Sequence, residues 1–583
     1  MSPRDLDMNE IMGTNSDGPG SKGVGSIAST PGHSLARAAS SAVEGRTTRS
    51  LVGLDSHGAR IAARMSGALP DSLETLENRV QRMVEYVRTL ERPIDKYVFV
   101  QGIAQWDPNV LYAALEKYGA ELMPVVYTPT VGEACQKWSS LPIETKGRAL
   151  YVSARNTGRV REVLDEWEGP PPEILVVTDG GRILGLGDLG AGGMGIPIGK
   201  LQLYVAAGGF DPAKCLPVTL DVGTDREELL ASVGYRGLRQ PRLKGEDHTA
   251  FVDEFMTAVS SKWPECIVQF EDFQTDKAIQ YMHKYRTLHP SFNDDVQGTA
   301  AVVLAGLLGG LKAQGTPLGE ARVCIFGAGS SSSGVATYFV RTLQEDCGLS
   351  EEEAKKHIYV MDSKGLITSS RQDADRLGEW KKPWARTDGV PEMPSLLETV
   401  KQVKPHVLIG LSGAGPMFTQ PVVEAMVAGC APKPPLIFPL SNPTSKAECT
   451  PTQAVRWSHG HVLMATGSPF DPVVYGHTTI VPGQCNNMYI FPGVGKGAAL
   501  AKTTQIHDGF LILAAKVVAD SVDNSQIVQG NLYPRIDSIR EVQKRIAATI
   551  WRRAAVEGLA RVQPPPDVEA AVEAAFWRPN LSL

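Results

Sequence analysis

Val323-Cys-Ile-Phe-Gly-Ala-Gly-Ser-Ser-Ser-Ser-Gly-Val-Ala336 is the stretch on which the fold turns. Val323–Phe326 reads as a short buried strand, Gly327-Ala-Gly329 as a turn, and Val335–Leu343 as helix. Strand, glycine turn and helix start together suit a pyrophosphate, because glycine lets backbone N–H groups approach the ligand and the helix N-terminus adds partial positive charge. A second strand-like run, His357-Ile-Tyr-Val-Met361, ends at Asp362, where an acid that meets a ribose should lie. Ser332 occupies the third small position, usually Gly or Ala. Gly327, Gly329, Ser330 and Ser332 are therefore the candidate phosphate-side contacts, and Asp362-Ser363-Lys364 the ribose-side ones.

Working outward, strand-like runs recur at Val407–Leu411, Leu436–Leu440 and His461–Thr466 between helical stretches. That alternation predicts an α/β fold with a doubly wound, Rossmann-like parallel sheet over residues 297–560. Residues 297–314 read as a connecting helix, so a domain boundary falls near 297. A preceding α/β unit, residues 149–296, has strand candidates at Glu173–Thr178, Leu216–Val222 and Cys266–Phe270. Residues 51–148 read as a helical N-terminal region and Ala498–Ala560 as a helical C-terminus. After the break at Pro564–Pro566, residues 561–583 read as a tail. Residues 1–50, rich in Gly and Ser, read as disordered.

A second Gly-x-Gly-x-x-Gly stands at Gly185, Gly187 and Gly190. Asp179-Gly-Gly before it signals a hairpin, and further glycines follow where a helix should begin. Without the strand–turn–helix context it is not read as a cofactor site. Its glycine density instead suits close backbone packing beside a small ligand.

At 583 residues the chain needs several cores, and its 42% hydrophobic and 21% charged content is that of an ordinary globular protein. A net charge of −6 offers no basic footprint for nucleic acid. Eight scattered cysteines without a Cys-x-x-Cys pair fit a reducing compartment. No apolar run reaches the roughly 20 residues that span a bilayer. Asp5, Asp7 and Glu10 argue against a mitochondrial presequence, although the Arg-containing stretch Ser34–Arg64 leaves that reading open and cytoplasm the expectation.

Two acid clusters stand out: Glu271-Asp272 after an apolar run and Asn293-Asp294-Asp295 before an apolar helix. Carboxylates without His or Cys partners make a hard, oxygen-only donor set suited to Mg2+ or Mn2+. Helix capping or a solvated face is the structural alternative for such pairs. A surface lysine before a helix is the corresponding alternative for Lys200, and a core tyrosine for Tyr127.

Met123-Pro-Val-Val-Tyr-Thr-Pro-Thr-Val-Gly132, Thr178–Lys200, Gln269-Phe-Glu-Asp-Phe273 and Phe292-Asn-Asp-Asp-Val-Gln-Gly-Thr299 resemble signatures of the malic enzymes. Leu440-Ser-Asn-Pro-Thr444, Gly467-Ser-Pro-Phe470 and Gly483–Gly493 continue the resemblance in the same order, from about residue 70 to residue 560. The resemblance implies metal-dependent oxidative decarboxylation of (S)-malate to pyruvate and CO2, in a malate- and metal-binding domain (149–296) joined to an NAD(P)-binding one (297–560). It implies Lys200 as general base, Asp294 as the carboxylate that orients it, and Tyr127 as the acid that protonates C3. Glu271, Asp272 and Asp295 become ligands of Mg2+ or Mn2+. Arg182 would hold a substrate carboxylate, and Asn442, Asn486 and Asn487 would lie near substrate and nicotinamide.

For the cofactor, Asp362-Ser363-Lys364 resembles the NADP-using members, with Arg371, Lys381 or Lys382 as further phosphate partners and NAD as second choice. A homotetramer, a dimer of dimers, is the implied assembly. Three alternatives stay open at this point: a malolactic-type enzyme that converts malate to lactate on bound NAD, an inactive nucleotide-binding regulatory paralogue, and a metal-dependent dehydrogenase of another β-hydroxy acid such as tartrate. The presence of Tyr127, Lys200, Asp294 and all three acids counts against the paralogue, which needs no acid–base pair.

Overall fold

Residues 74–579, apart from positions 379 and 443, are described by a computed structural model. The expected disordered segment 1–50 and the Arg-containing stretch Ser34–Arg64 lie outside the described residues. Helices occupy most of Leu76–Lys137; one of them, α1 (Gly119–Val126), ends at Tyr127.

Five strands follow: β1 (Leu150–Ser153), β2 (Ile174–Thr178), β3 (Cys215–Asp221), β4 (Ile267–Phe270) and β5 (Ser291–Asn293). They form one sheet in the order β1-β3-β2-β4-β5, and every neighbouring pair is parallel. The period-2 geometry of a strand sends Ile174 and Val176 into one core and Leu175 and Val177 into the other. With both faces covered, β2 reads as an unbroken apolar run. One face carries α2 (Gly195–Ala206); the other carries α3 (Gly245–Lys262) and α4 (Thr275–Tyr285). Because the strands are parallel, the segments after β2, β4 and β5 emerge along one edge of the sheet.

A wide turn, Asp294–Gly298, in which Thr299 N–H reaches back to the Asp294 carbonyl, opens α5 (Thr299–Gln314). Together they run 21 residues and are apolar enough to cross a membrane, but most of that stretch is buried inside the protein, as a core helix should be. α5 leads to the second sheet, with β6 (Val323–Phe326), α6 (Ser330–Cys347), β7 (Ile358–Asp362), β8 (Gly365–Leu366), β9 (Val407–Gly410), β10 (Leu436–Pro439), β11 (Leu463–Thr466) and β14 (Gly483–Gln484). A small hairpin, β12 (Val473–Tyr475) and β13 (Thr478–Ile480), stands apart.

The order β14-β11-β10-β9-β6-β7-β8 is parallel except for β7–β8, and winds one way from β6 to β7 and the other way to β9. This is a doubly wound sheet whose direction switches between β6 and β9, where ligands bind in such folds. Val323 and Ile325 of β6 face the core shared with the N-terminal helices, and Cys324 and Phe326 face the opposite core.

α7 (Phe491–Ala501), α8 (Asp508–Ala519) and α9 (Ile539–Val556) complete the shared core. Two expectations are corrected here. A helix does follow the second glycine motif: Gly190–Met194 forms a tight turn that runs straight into α2, because the long apolar stretch after Met194 has a buried face to fill. Residues 561–583 are also more than a tail. α10 (Val568–Ala575) folds back through the Trp577 N–H, which donates to the Gly209 carbonyl at 2.8 Å, with Phe576 under the Lys496 and Arg540 cations.

Candidate active site

Three loops at the carboxyl edge of the first sheet meet at one point. Glu271 and Asp272 follow β4, and Asp294 and Asp295 follow β5. One carboxylate oxygen each from Glu271, Asp272 and Asp295 lies within 4.8 Å of the others. The backbone arranges this. Asp272 adopts φ 56°, a left-handed conformation that aspartate tolerates, and its N–H donates to Asp295 Oδ2 at 2.7 Å. Its carbonyl accepts the Arg182 N–H at 3.0 Å, tying the loop after β2 to the same point. Burial raises all three acids above the ordinary carboxylate range; Lys200 pulls Glu271 and Asp295 the other way, and the neighbouring carboxylates add to the rise.

Lys200 stands in the middle of α2, not on the surface before a helix, and only 2% of it is exposed. Its ammonium reaches Glu271 Oε1 at 3.0 Å and bonds to Asp294 Oδ2. Burial opposes the charge, but the Asp294 and Glu271 carboxylates and the Tyr127 phenol prevail and hold the lysine well above its usual range. The Tyr127 ring lies 5.3 Å from the ammonium and that of Phe491 4.8 Å. Burial likewise holds the Tyr127 phenol well above its usual value, against the pull of Lys200.

Two glycines permit these approaches. A Cβ on Gly199 would stand 2.9 Å from the Val126 carbonyl and 3.1 Å from the Tyr127 ring, and one on Gly298 would collide with Asp294 Oδ1 at 1.9 Å.

The asparagines divide. Asn487 donates to Asp294 Oδ2 at 3.0 Å, to the Asp294 carbonyl at 3.1 Å and to Thr299 Oγ1 at 3.2 Å. Asn486 caps the turn at Met488 and shares with Tyr127, Leu203 and Pro469 a cavity of about 160 Å3. Asn442 is exposed and accepts the Ser468 hydroxyl; among the described residues no hydrogen bond joins it to Lys200 or the acids. Arg182 is also exposed, with its guanidinium on Thr275 Oγ1 beside the Asp272 loop.

At the second sheet, Gly329 begins α6 without any side-chain cap, and Ser330 and Ser332 occupy its first turn. Asp362 is not open to a ribose hydroxyl as the sequence suggests. Arg371 forks onto both its oxygens at 2.8 and 3.0 Å, and Lys381 adds a contact at 2.6 Å. Against burial, these cations hold the carboxyl well below the usual range. Ser363 and Lys364 are exposed, Lys364 reaching Asp373 at 2.6 Å, while Lys382 makes no ion pair among the described residues. The pairing had no local signal, since Arg371 and Lys381 come from loops 9 and 19 residues downstream.

Three contributors escaped the sequence reading. Gln269, the polar residue in the otherwise apolar β4, donates to Glu271 Oε2 at 2.7 Å, and Tyr204, one helical turn after Lys200, bonds to Gln269. Gln269 interrupts an apolar run, which is the signal that could have found it; Tyr204 sits within one and carries no such mark. Glu448, fully buried, collects Ser412 N–H at 3.2 Å and the Ser441 hydroxyl at 2.5 Å, clamping the loops after β9 and β10 at the switch point. No sequence pattern marks it.

Residues 107–286 match the family model described as malic enzyme, N-terminal domain, and residues 296–555 that of malic enzyme, NAD binding domain. The chain belongs to the malic enzyme family. This malic enzyme is 43% identical over 527 residues to the chloroplastic NADP-dependent malic enzyme 4 of Arabidopsis thaliana, covering 90% of the chain and 80% of that relative. It is 41% identical over 516 residues to the NADP-dependent malic enzyme of Dictyostelium discoideum, covering 88% and 94%. The crystal structure of the Entamoeba histolytica malic enzyme shares the fold, with a TM-score of 0.54, 23% identity and coverage of 88% and 91% of the two chains.

Proposed function

We propose that the chain catalyses the oxidative decarboxylation of (S)-malate to pyruvate and CO2, with NADP+ reduced to NADPH and Mg2+ or Mn2+ required. The observation that carries this reading is the Lys200 ammonium between Asp294 and Glu271, with the Tyr127 ring beside it and three acids converging within 4.8 Å. A metal fits the donor set. Asp272 Oδ2 is buried without a hydrogen-bond partner, and an all-oxygen cluster suits a hard divalent ion. A dinucleotide fits as well: Ser332 Oγ is buried without a partner in the uncapped first turn of α6.

When bound to Glu271, Asp272 and Asp295, the ion supplies Lewis-acid polarisation of the substrate's C2 oxygen and a positive charge that lowers the lysine's proton affinity. Lys200 would then take the proton of the C2 hydroxyl, and a bound nicotinamide would supply the hydride acceptor. Asp294, held by Asn487, keeps the amine aimed. After CO2 departs from the C4 carboxylate, Tyr127, protonated at neutral pH, donates to C3 of the enol. Arg182, exposed beside the Asp272 loop, suits a substrate carboxylate through its planar fork.

The choice of NADP is supported by Arg371 and Lys381, which neutralise Asp362, and by Lys364 beside them; an acid so occupied no longer repels a 2′-phosphate. The implied homotetramer is checked by light scattering on the purified protein. Eight cysteines, all free, agree with a cytoplasmic setting, checked by a fluorescent fusion of the full chain.

The deciding assay supplies malate, Mn2+ and either nucleotide, follows free reduced cofactor at 340 nm and quantifies pyruvate. NADPH and pyruvate should appear in equal amounts, with a higher kcat/KM for NADP+ than for NAD+. Lactate formed without free reduced cofactor would overturn the reading.

A further inference from the structure

Each of the three converging acids has one oxygen already committed to the protein. Asp272 Oδ1 accepts the Leu184 N–H at 3.2 Å, Asp295 Oδ2 the Asp272 N–H at 2.7 Å, and Glu271 Oε2 the Gln269 amide at 2.7 Å. The other oxygen of each acid is held by no such hydrogen bond among the described residues: Asp272 Oδ2 and Asp295 Oδ1 are open, and Glu271 Oε1 is ion-paired with Lys200 at 3.0 Å, the one contact an incoming cation would displace. The first two restraints are backbone groups. Only the one on Glu271 is a side chain.

We propose that Gln269, backed by Tyr204, is a positioning residue that confines Glu271 to single-oxygen ligation and so selects Mg2+ or Mn2+ over Ca2+. The proposal rests on the assignment of Glu271, Asp272 and Asp295 as metal ligands made above.

The chemistry of the groups fixes the direction of the relay. An ionised carboxylate only accepts, so the Gln269 NH2 faces Glu271 and its carbonyl oxygen faces Tyr204, whose hydroxyl must then donate. Gln269 cannot swing away, since β4 is paired on both sides, with Val176 and with Phe292, and the side chain is fully buried. Tyr204 lies four residues after Lys200 on α2, and its ring is wedged against Phe210 and Phe491. One helix therefore controls both oxygens of Glu271: Lys200 meets Oε1 directly, and Tyr204 restrains Oε2 through Gln269.

Ca2+ takes 6–8 oxygens in loose geometry and readily accepts both oxygens of one carboxylate, whereas Mg2+ demands near-octahedral single-oxygen ligation. A Glu271 whose second oxygen is engaged withholds the extra ligand that Ca2+ would use.

The test uses the full chain, freed of metal by chelation, titrated with Mn2+ and followed by the paramagnetic resonance signal of the free ion. Ca2+ then competes for the site, with no substrate and no turnover. For Gln269→Leu, Mn2+ binding should weaken by about 10- to 100-fold, the usual effect of losing a partner behind a metal ligand. The Kd ratio of Ca2+ to Mn2+ should at the same time move toward Ca2+ by about 10-fold, as the freed oxygen becomes available. Tyr204→Phe should move the ratio in the same direction by less. A ratio equal to wild type in Gln269→Leu overturns the proposal. If that variant does not fold, Tyr204→Phe decides, and a wild-type ratio there overturns it equally. Failure of the wild-type protein to bind Mn2+ would instead overturn the ligand assignment beneath it.

Discussion

Asn487 Nδ2 lies 3.0 Å from Asp294 Oδ2, joining residues 193 positions apart in the chain. An amide in the turn after the second sheet's last strand, β14, thus fixes the carboxylate that meets Lys200 on the first. Replacing Asn487 by leucine removes this restraint and leaves Asp294 Oδ2 to Lys200 alone. The kcat for malate oxidation should fall by about 10- to 100-fold, the equivalent of one or two buried hydrogen bonds to a charged group. NADPH affinity, measured by fluorescence titration, should stay at the wild-type value. An unchanged kcat would remove Asn487 from the acid–base arrangement.

Lys200→Met deletes the cation that, among the described residues, alone bonds to Glu271 and Asp294. Two buried carboxylates then lose their counter-charge, a change that costs about 3–5 kcal/mol in comparable sites. Metal-free protein should melt well below wild type, and Mn2+ should recover part of the difference by supplying charge to Glu271. NADPH formation should drop by about 100- to 10,000-fold, the range for a lost general base. Wild-type turnover in this variant would end the assignment of Lys200.

Tyr127→Phe keeps the ring that packs against α2 and loses only the hydroxyl. Mn2+ affinity should be unaffected, while protonation of the enol slows by about 100-fold. Proton NMR of pyruvate formed in D2O reads this step, because solvent deuterium enters C3 through the acid. Stereospecific deuteration at the wild-type rate would show that another group donates.

His289 gives the protein a distinct acid sensitivity. Its Nε2–H donates to the Cys266 carbonyl at 2.7 Å and its Nδ1 accepts the Ser260 hydroxyl at 3.1 Å, an arrangement available to the neutral ring. Burial pushes its pKa down from 6.5 to about 4. The unfolded chain therefore binds a proton that the folded one refuses between those values. Stability from this group is complete above pH 6.5 and is lost as pH falls toward 4, on the order of 3 kcal/mol in all. Urea unfolding at pH 7 and pH 5 should show about 2 kcal/mol of that loss, and His289→Gln should flatten it. Equal slopes in the two proteins would reject the assignment.

Much of this molecule was written locally. The strands β6, β7, β9, β10 and β11 announced themselves as short apolar runs, because strands buried on both faces have no polar positions to hide them. Glycines at 327 and 329 and the acids at 271, 272, 294 and 295 were visible for the same reason: backbone conformation and ligand chemistry narrow the residue type at a single position. Harder to see was α2, since six glycines from 185 to 195 outweighed an apolar stretch whose helical form depends on the sheet it covers.

By itself, then, the sequence determined the doubly wound sheet, the fingerprint turn and the identity of the acids, all properties of a residue and its near neighbours. Only the tertiary structure decided which partner holds each oxygen of the acids, that Arg371 and Lys381 claim Asp362, and that Gln269 and Tyr204 stand behind Glu271. Those are contacts between segments brought together by parallel strands ending on one edge. The spacing of residues along the chain carries no information about which side chain fills the space left there.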